Sequence, residues 1–462
     1  MTLFTAMLVS CSNLTQKSND DLSSLGKNEF YAQDMKTGKY YKVKAKKMYE
    51  GLKCVIWAEE GSGITQAKAE EIANEYDTII RPKVVGTFSK KNFPFSIKIK
   101  EETVTYNFDD MLDFANWIVD RQDKKLTILL LNIKDDFLKT DSYVAGYFFG
   151  GNFYPKGKIE GTGHYSNSRD MIYVDTDPGL KMKPNQTYAT FAHELQHLIN
   201  FVTTVQMGRN FLMDTWVDEG LSSQAEYLYL GENPSEKCEW FKEDIIGTIA
   251  KGNNFFVWDN HREEPLAILD DYATVYLFFR WLYLQANQKS LSDIFLKIET
   301  SEKYDYHAVI DVAKQIDPTW GSWETLLRTW LAANYYPKNS YGYTGDAVLR
   351  EIKVNPIAGQ TISLYPGEGV YSIISPSFSA ETSGNIHYAG LTETTINPSS
   401  PYNEKVLLTF NANIKNTALP ETGRLTGVFP PASRSAARNI QTETSTGPYV
   451  IDARDMLERS KR

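Results

Sequence analysis

His193-Glu194-Leu195-Gln196-His197 constrains this chain more than any other segment. Two imidazoles at i and i+4 lie on one helix face and can reach a single metal ion, while a carboxylate directly after the first can reach a water beside it. With six histidines in 462 residues, a chance HExxH is expected in roughly one such chain in a few hundred. The competing reading is an ordinary amphipathic helix that carries two histidines. The flanks favour the metal: Pro184-Asn185-Gln186-Thr187 reads as a helix start, and Tyr188, Phe191, Ala192, Leu195, Leu198, Ile199 and Val202 follow at near-helical spacing. The motif is therefore expected on a buried helix, as a zinc site requires.

A catalytic zinc takes three protein ligands and leaves a fourth position open. The pattern HExxHxxGxxH does not supply the third ligand, because Asn200 and Thr203 stand where it needs Gly and His. Glu219 is the better candidate, in Trp216-Val217-Asp218-Glu219-Gly220-Leu221-Ser222-Ser223, about two dozen residues downstream. Gly208-Arg209-Asn210 reads as a turn, and Gly220 to Leu230 as a second helix antiparallel to the first, which would set Glu219 opposite the histidines.

HExxH followed by W-x-x-E-G-x-S/A is the gluzincin arrangement, and the stretch from about residue 50 to 335 resembles the hyicolysin family of bacterial zinc metallopeptidases. Supporting segments are Leu126 to Leu131, Val144-Ala145-Gly146-Tyr147-Phe148-Phe149-Gly150, Met171-Ile172-Tyr173-Val174-Asp175 and the aromatic run Tyr272 to Leu282. The resemblance implies that His193, His197 and Glu219 ligate Zn2+ and that Glu194 is the general base of an endopeptidase. Zinc would polarise the scissile carbonyl and lower the pKa of water from about 15.7 toward 7. Glu194 would take the water proton and return it to the leaving amine.

A neutral donor to the oxyanion is also needed. Tyr272, which opens a helix after Asp270-Asp271, is preferred, with Tyr276 and the loop residue His261 as alternatives. Tyr272, Tyr276, Phe279 and Tyr283 also have the spacing of a structural core stripe. Asp218, Ser223 and Glu226 are candidates to orient the ligating imidazoles; Glu226 reads more simply as a solvated helix charge. Many gluzincins carry an acidic residue four positions after the glutamate ligand, where this chain has Ser223. His164, His307 and His387 lack ligand spacing.

The expected fold is α+β: a zincin-like catalytic domain over residues 27–345, with a mixed sheet part (27–184) and a helical part (185–345), then a β-sandwich-like accessory domain over 346–462. Tyr40 to Val43, Lys53 to Trp57 and Leu126 to Leu131 read as strands, the last internal to a sheet. Thr65 is expected to cap a helix, Asp109 to Asp123 to form another, and helical patterns recur near 268–286, 291–298, 307–315 and 323–334. Beyond about 345, Pro, Gly, Ser and Thr punctuate short alternating runs such as Ile362 to Tyr365, Gly369 to Ile374 and Val406 to Phe410.

A net charge of −9 argues against a nucleic-acid partner, and protein or peptide substrates are expected. No 18-residue apolar run exists. Leu8-Val9-Ser10-Cys11 resembles a lipobox, followed by a polar tether, so residues 1–26 are read as the remnant of a lipoprotein signal whose start lies upstream. That reading anchors an exported bacterial protein to the membrane through lipid on Cys11. Cys54 and Cys238 are left to pair or stay free. Two other functions compete: an aminopeptidase, suggested by the likeness of WVDEG to WLNEG but lacking a G-x-M-E-N segment, and an inactive surface-binding lipoprotein, which would not need Glu194.

Overall fold

The structure is a computed structural model that describes residues 22–99, 102–121, 123–135, 143–209, 211–244, 249, 252, 268–357, 361–374, 379–381, 384–413 and 421–426. Cys11 and His261 lie outside these residues. The described chain has an α+β fold.

The first half is organised around one apolar strand. Leu126–Leu131 (β6) is buried at every position, and it pairs in parallel both with Cys54–Glu59 (β3) and with Met171–Asp175 (β10). A strand covered on both faces has no polar alternation, which is why it reads as an apolar run interrupted only by Thr127. Glu29–Gln33 (β1) and Tyr40–Glu50 (β2) extend the sheet antiparallel beyond β3, and Gly146–Phe148 (β7) closes the other edge antiparallel to β10, giving the order β1-β2-β3-β6-β10-β7, with the short antiparallel pair Gly157–Lys158 (β8) and Tyr165–Ser166 (β9) between β7 and β10 in the chain. The period-two alternation divides the side chains. Ile128 and Leu130 join the large core shared with the helices; Leu129 and Leu131 join a second core with Phe30, Tyr41 and Val43.

Local signals set most helix starts. Thr65 Oγ1 accepts the Lys68 N–H at 3.1 Å and opens Gln66–Glu75 (α1); Arg81–Phe88 (α2) follows. The helix expected over 109–123 is shorter, Met111–Ile118 (α3). Asp109 and Asp110 complete Glu102–Asp110 (β5), which pairs with Lys91–Ile99 (β4), and Asp110 then caps the helix by accepting from Leu112 N and Asp113 N. Asp120, at φ 53°, turns the chain away.

The helical part contains Pro184–Gln206 (α4), Thr215–Leu230 (α5), Ser235–Glu243 (α6), Ile268–Gln288 (α7), Ile294–Glu299 (α8), Tyr306–Ile316 (α9) and Trp323–Tyr335 (α10). None of the helices among the described residues is long and apolar enough to cross a membrane. Gly220 is a close-approach position: a Cβ there would lie 2.2 Å from Phe279 Cδ2, so α5 and α7 touch only because it is glycine. Cys54 and Cys238 are buried and free, the Cys238 thiol being pushed up to about 12 by burial.

The tail forms two antiparallel sheets, ordered Thr361–Leu364 (β11), Glu421–Thr426 (β17), Ser379–Glu381 (β13), and Gly369–Ile373 (β12), Val406–Asn411 (β16), Ile386–Leu391 (β14), Ile396–Asn397 (β15). Leu364, Val370, Ile386 and Leu407 make a separate small core. The alternate residues Tyr371, Leu391, Val406, Leu408 and Phe410 belong instead to the large core. Tyr371 Oη donates to the Leu331 carbonyl at 2.6 Å, and a Cβ on Gly369 would lie 2.4 Å from Leu331 Cδ1. The β-rich tail thus shares its packing with α10.

Candidate metal centre

The helix α4 runs from Pro184, whose ring suits the first helical turn, to Gln206, and its centre is buried all round, including His193, Glu194, Gln196 and His197. Gly208, at φ 64°, begins the reversal to α5. That helix starts at Thr215 rather than Gly220, so Glu219 sits inside it and is set rigidly against α4. Three ligand atoms converge between the two helices. His193 Nε2 lies 3.0 Å from His197 Nε2 and 3.2 Å from Glu219 Oε2, and His197 Nε2 lies 3.1 Å from the same carboxylate oxygen. Bonds of about 2.0–2.1 Å from one tetrahedral zinc would place ligand atoms about 3.3 Å apart. Among the described residues, His193, His197 and Glu219 are a buried group able to hold one ion, and their triangle fits zinc.

The outer nitrogens explain why the inner ones face each other. His193 Nδ1 is 2.6 Å from Glu226 Oε1. His197 Nδ1 is 2.9 Å from Asp218 Oδ1 and 3.1 Å from Ser222 Oγ; that hydroxyl donates to Gln196 Oε1 at 2.5 Å, so it accepts from the imidazole. With Nδ1–H donated outward on both rings, both Nε2 lone pairs point at the shared position. Glu226 is therefore not a solvated helix charge. It is 7% exposed, because the i+7 spacing from Glu219 returns it to the face packed on α4. Burial works to raise its carboxyl, but Lys237 and His193 hold it below the ordinary range. The Ser223 hydroxyl accepts from Lys237 Nζ at 2.9 Å.

Behind His197 the network continues inward. Gln196 Nε2 donates at 3.0 Å to Glu299 Oε2, at the end of α8, and burial pushes the Glu299 carboxyl well above the usual carboxylate range. Asp218, the more open of the two carboxylates at 29% side-chain exposure, also accepts from Asn200 Nδ2 at 2.5 Å. Asn200 is the residue that displaces the glycine of the alternative zinc pattern; here it braces the carboxylate behind His197.

Glu194 is fully buried beside the edge strand β7. A Cβ on Gly146 would lie 2.8 Å from the Tyr173 carbonyl, 2.8 Å from Thr190 Cγ2 and 3.4 Å from Glu194 Cγ, so the glycine of the aromatic-glycine segment lets the strand approach the motif. Tyr272 is 2% exposed, with Lys237 Nζ 5.5 Å from its ring centre. Tyr276 Oη donates to Asn233 Oδ1 at 2.6 Å, and Asn233 in turn donates to Asp346, which ties that tyrosine to the structural stripe. Lys237, Ser222, Gln196 and Glu299 join the site although no motif spacing marks them. Ser222 and Gln196 had a legible signal, being polar residues adjacent to or inside the two motifs; Lys237 and Glu299 arrive from α6 and α8 and had none.

No family model matches the chain. The chain is 27% identical over 373 residues to the neutral metalloprotease ShpI of Staphylococcus hyicus, a match that covers 78% of this chain and 76% of that protein. With the convergent His193, His197 and Glu219, that similarity supports a metalloprotease family for this chain.

Proposed function

We propose that the protein is a hyicolysin-like, zinc-dependent endopeptidase that hydrolyses peptide bonds in protein substrates. The observation that carries this is the meeting of His193 Nε2, His197 Nε2 and Glu219 Oε2 within 3.0–3.2 Å of one another, with both Nδ1 atoms turned outward onto acceptors. Zinc held there would supply Lewis acidity for the carbonyl and acidify the water beside it. Glu194, one residue from His193 and outside the ligand triangle, takes the proton of the attacking water and delivers it to the departing amine. Tyr272 is the proposed donor to the oxyanion. The similarity to a protein named a neutral metalloprotease supports the reaction class.

The chain is further proposed to be exported and lipid-anchored through Cys11, a reading supported by the Leu8-Val9-Ser10-Cys11 segment. The products of casein digestion test the substrate reading. Internal fragments appearing first support an endopeptidase; free amino acids released from the outset would make it an aminopeptidase.

A further inference from the structure

One charged residue beside the ligand triangle belongs to neither ligand-bearing helix. Lys237, on α6, places Nζ 2.6 Å from Glu226 Oε1 and 2.9 Å from Ser223 Oγ, with 11% of its side chain exposed. The oxygen it holds is the same atom that receives the His193 Nδ1–H at 2.6 Å. Two donors on one oxygen confine that atom more narrowly than either would alone. The carboxylate cannot rotate away from one without losing the other. Lys237 therefore sits where it can fix the acceptor that sets the His193 ring.

Charge points the same way. Glu219, Glu226 and Asp218 lie against the two imidazoles, and a carboxylate taken out of water, as Glu226 is, needs a partner of opposite charge. An imidazole that gives Nε2 to a metal is neutral and cannot be that partner. Lys237 can. Its helix packs on α7 and reaches the motif helix through a bond from Gln186 Nε2 to Glu236 Oε1, so the ammonium is delivered by an element outside the two ligand-bearing helices.

We propose that Lys237 is a positioning residue of the metal centre: by anchoring Glu226 Oε1 it holds the His193 ring with Nε2 aimed at the ion. The proposal rests on the reading of His193, His197 and Glu219 as a zinc site.

The test measures zinc dissociation constants of the full chain by competition with a chromophoric chelator, with thermal midpoints of the metal-free forms and visible spectra of the cobalt-loaded forms alongside. Lys237→Met is expected to weaken zinc binding by up to about tenfold, less than the 10 to 100-fold of losing a group bonded directly to a metal ligand, and to alter the cobalt spectrum. Lys237→Arg, which keeps a cation and N–H donors, restores most of the affinity. Lys314→Met, which removes an exposed lysine paired with Asp311, leaves it unchanged. A purely structural role would lower the midpoint of metal-free Lys237→Met with no change in zinc affinity or cobalt spectrum, and that result overturns the proposal. If Lys237→Met does not fold, Ser223→Ala, which removes one of the two groups holding Nζ, carries the test: a smaller loss in the same direction supports the proposal and unchanged affinity overturns it. A wild-type chain that binds no zinc refutes the metal centre itself, and this proposal with it.

Discussion

Replacing Glu226 by Ala separates an orienting carboxylate from an ordinary helix charge. The substitution removes an oxygen 2.6 Å from His193 Nδ1 and 2.6 Å from Lys237 Nζ. Without that acceptor the His193 ring loses the bond that fixes its tautomer and orientation, a change that typically costs 10 to 100-fold in metal affinity, or about 1.4–2.7 kcal/mol at roughly 1.36 kcal/mol per tenfold. The fold pays separately. Lys237, 11% exposed, is left without its counter-ion, which should destabilise the metal-free protein by about 1–3 kcal/mol, less than the roughly 3–5 kcal/mol of breaking a fully buried pair. Asp218→Ala is the comparison. Asp218 is 29% exposed and shares His197 Nδ1 with Ser222 at 3.1 Å, so its loss should stay near or below the lower limit, about tenfold. Chelator competition gives the zinc dissociation constants and calorimetry gives the stability. Unchanged zinc affinity in Glu226→Ala, alongside a large loss in Asp218→Ala, would refute the assignment of Glu226 as the partner of His193.

Glu194→Gln, nearly isosteric but unable to take a proton, should keep the metal and the fold and lose nearly all turnover; a purified variant with wild-type turnover would remove Glu194 from the mechanism. Asp170 gives a pH signature of the fold. It is buried, accepts from Asn116 Nδ2 at 2.9 Å, and burial pushes its carboxyl from 3.8 up to about 8. Because the folded-state value is the raised one, its contribution to stability is complete below about pH 4 and is lost as pH rises through about 8. Asp170→Asn should therefore flatten the fall of the thermal midpoint across that window, and parallel wild-type and variant profiles would count against it. The proposed export and lipid anchor predict that Cys11→Ser moves the protein from the membrane fraction to the soluble one; identical fractionation would discard the lipid anchor.

What was readable in the sequence follows from how local each feature is. The i, i+4 histidines, the Pro184 start and the apolar strand Leu126–Leu131 depend on one element's own periodicity, and the structure has them as expected. Glu219 was reachable because only a turn separates its helix from the motif. Glu226 reads from sequence as a solvated helix charge; its i+7 relation to Glu219 is visible there, but whether a neighbouring helix covers that face is a tertiary fact. Lys237 and Glu299 lie beyond any spacing rule, since α6 and α8 reach the site only through packing. The β4–β5 pair was missed because its polar alternation resembles loop composition, with Asp109 and Asp110 serving first as strand and then as cap. The short alternating runs of the tail that lie among the described residues are strands as expected, yet one face of its four-stranded sheet joins the large core, a contact that alternation alone does not announce.

Zinc content decides the central claim. Elemental analysis of the purified wild-type chain beside Glu219→Ala, with casein cleavage followed through chelation and zinc restoration, should give one zinc per wild-type chain, little in the variant, and cleavage that disappears with the metal and returns with it. A wild-type chain that carries no zinc and cleaves casein equally well in chelator would contradict the account.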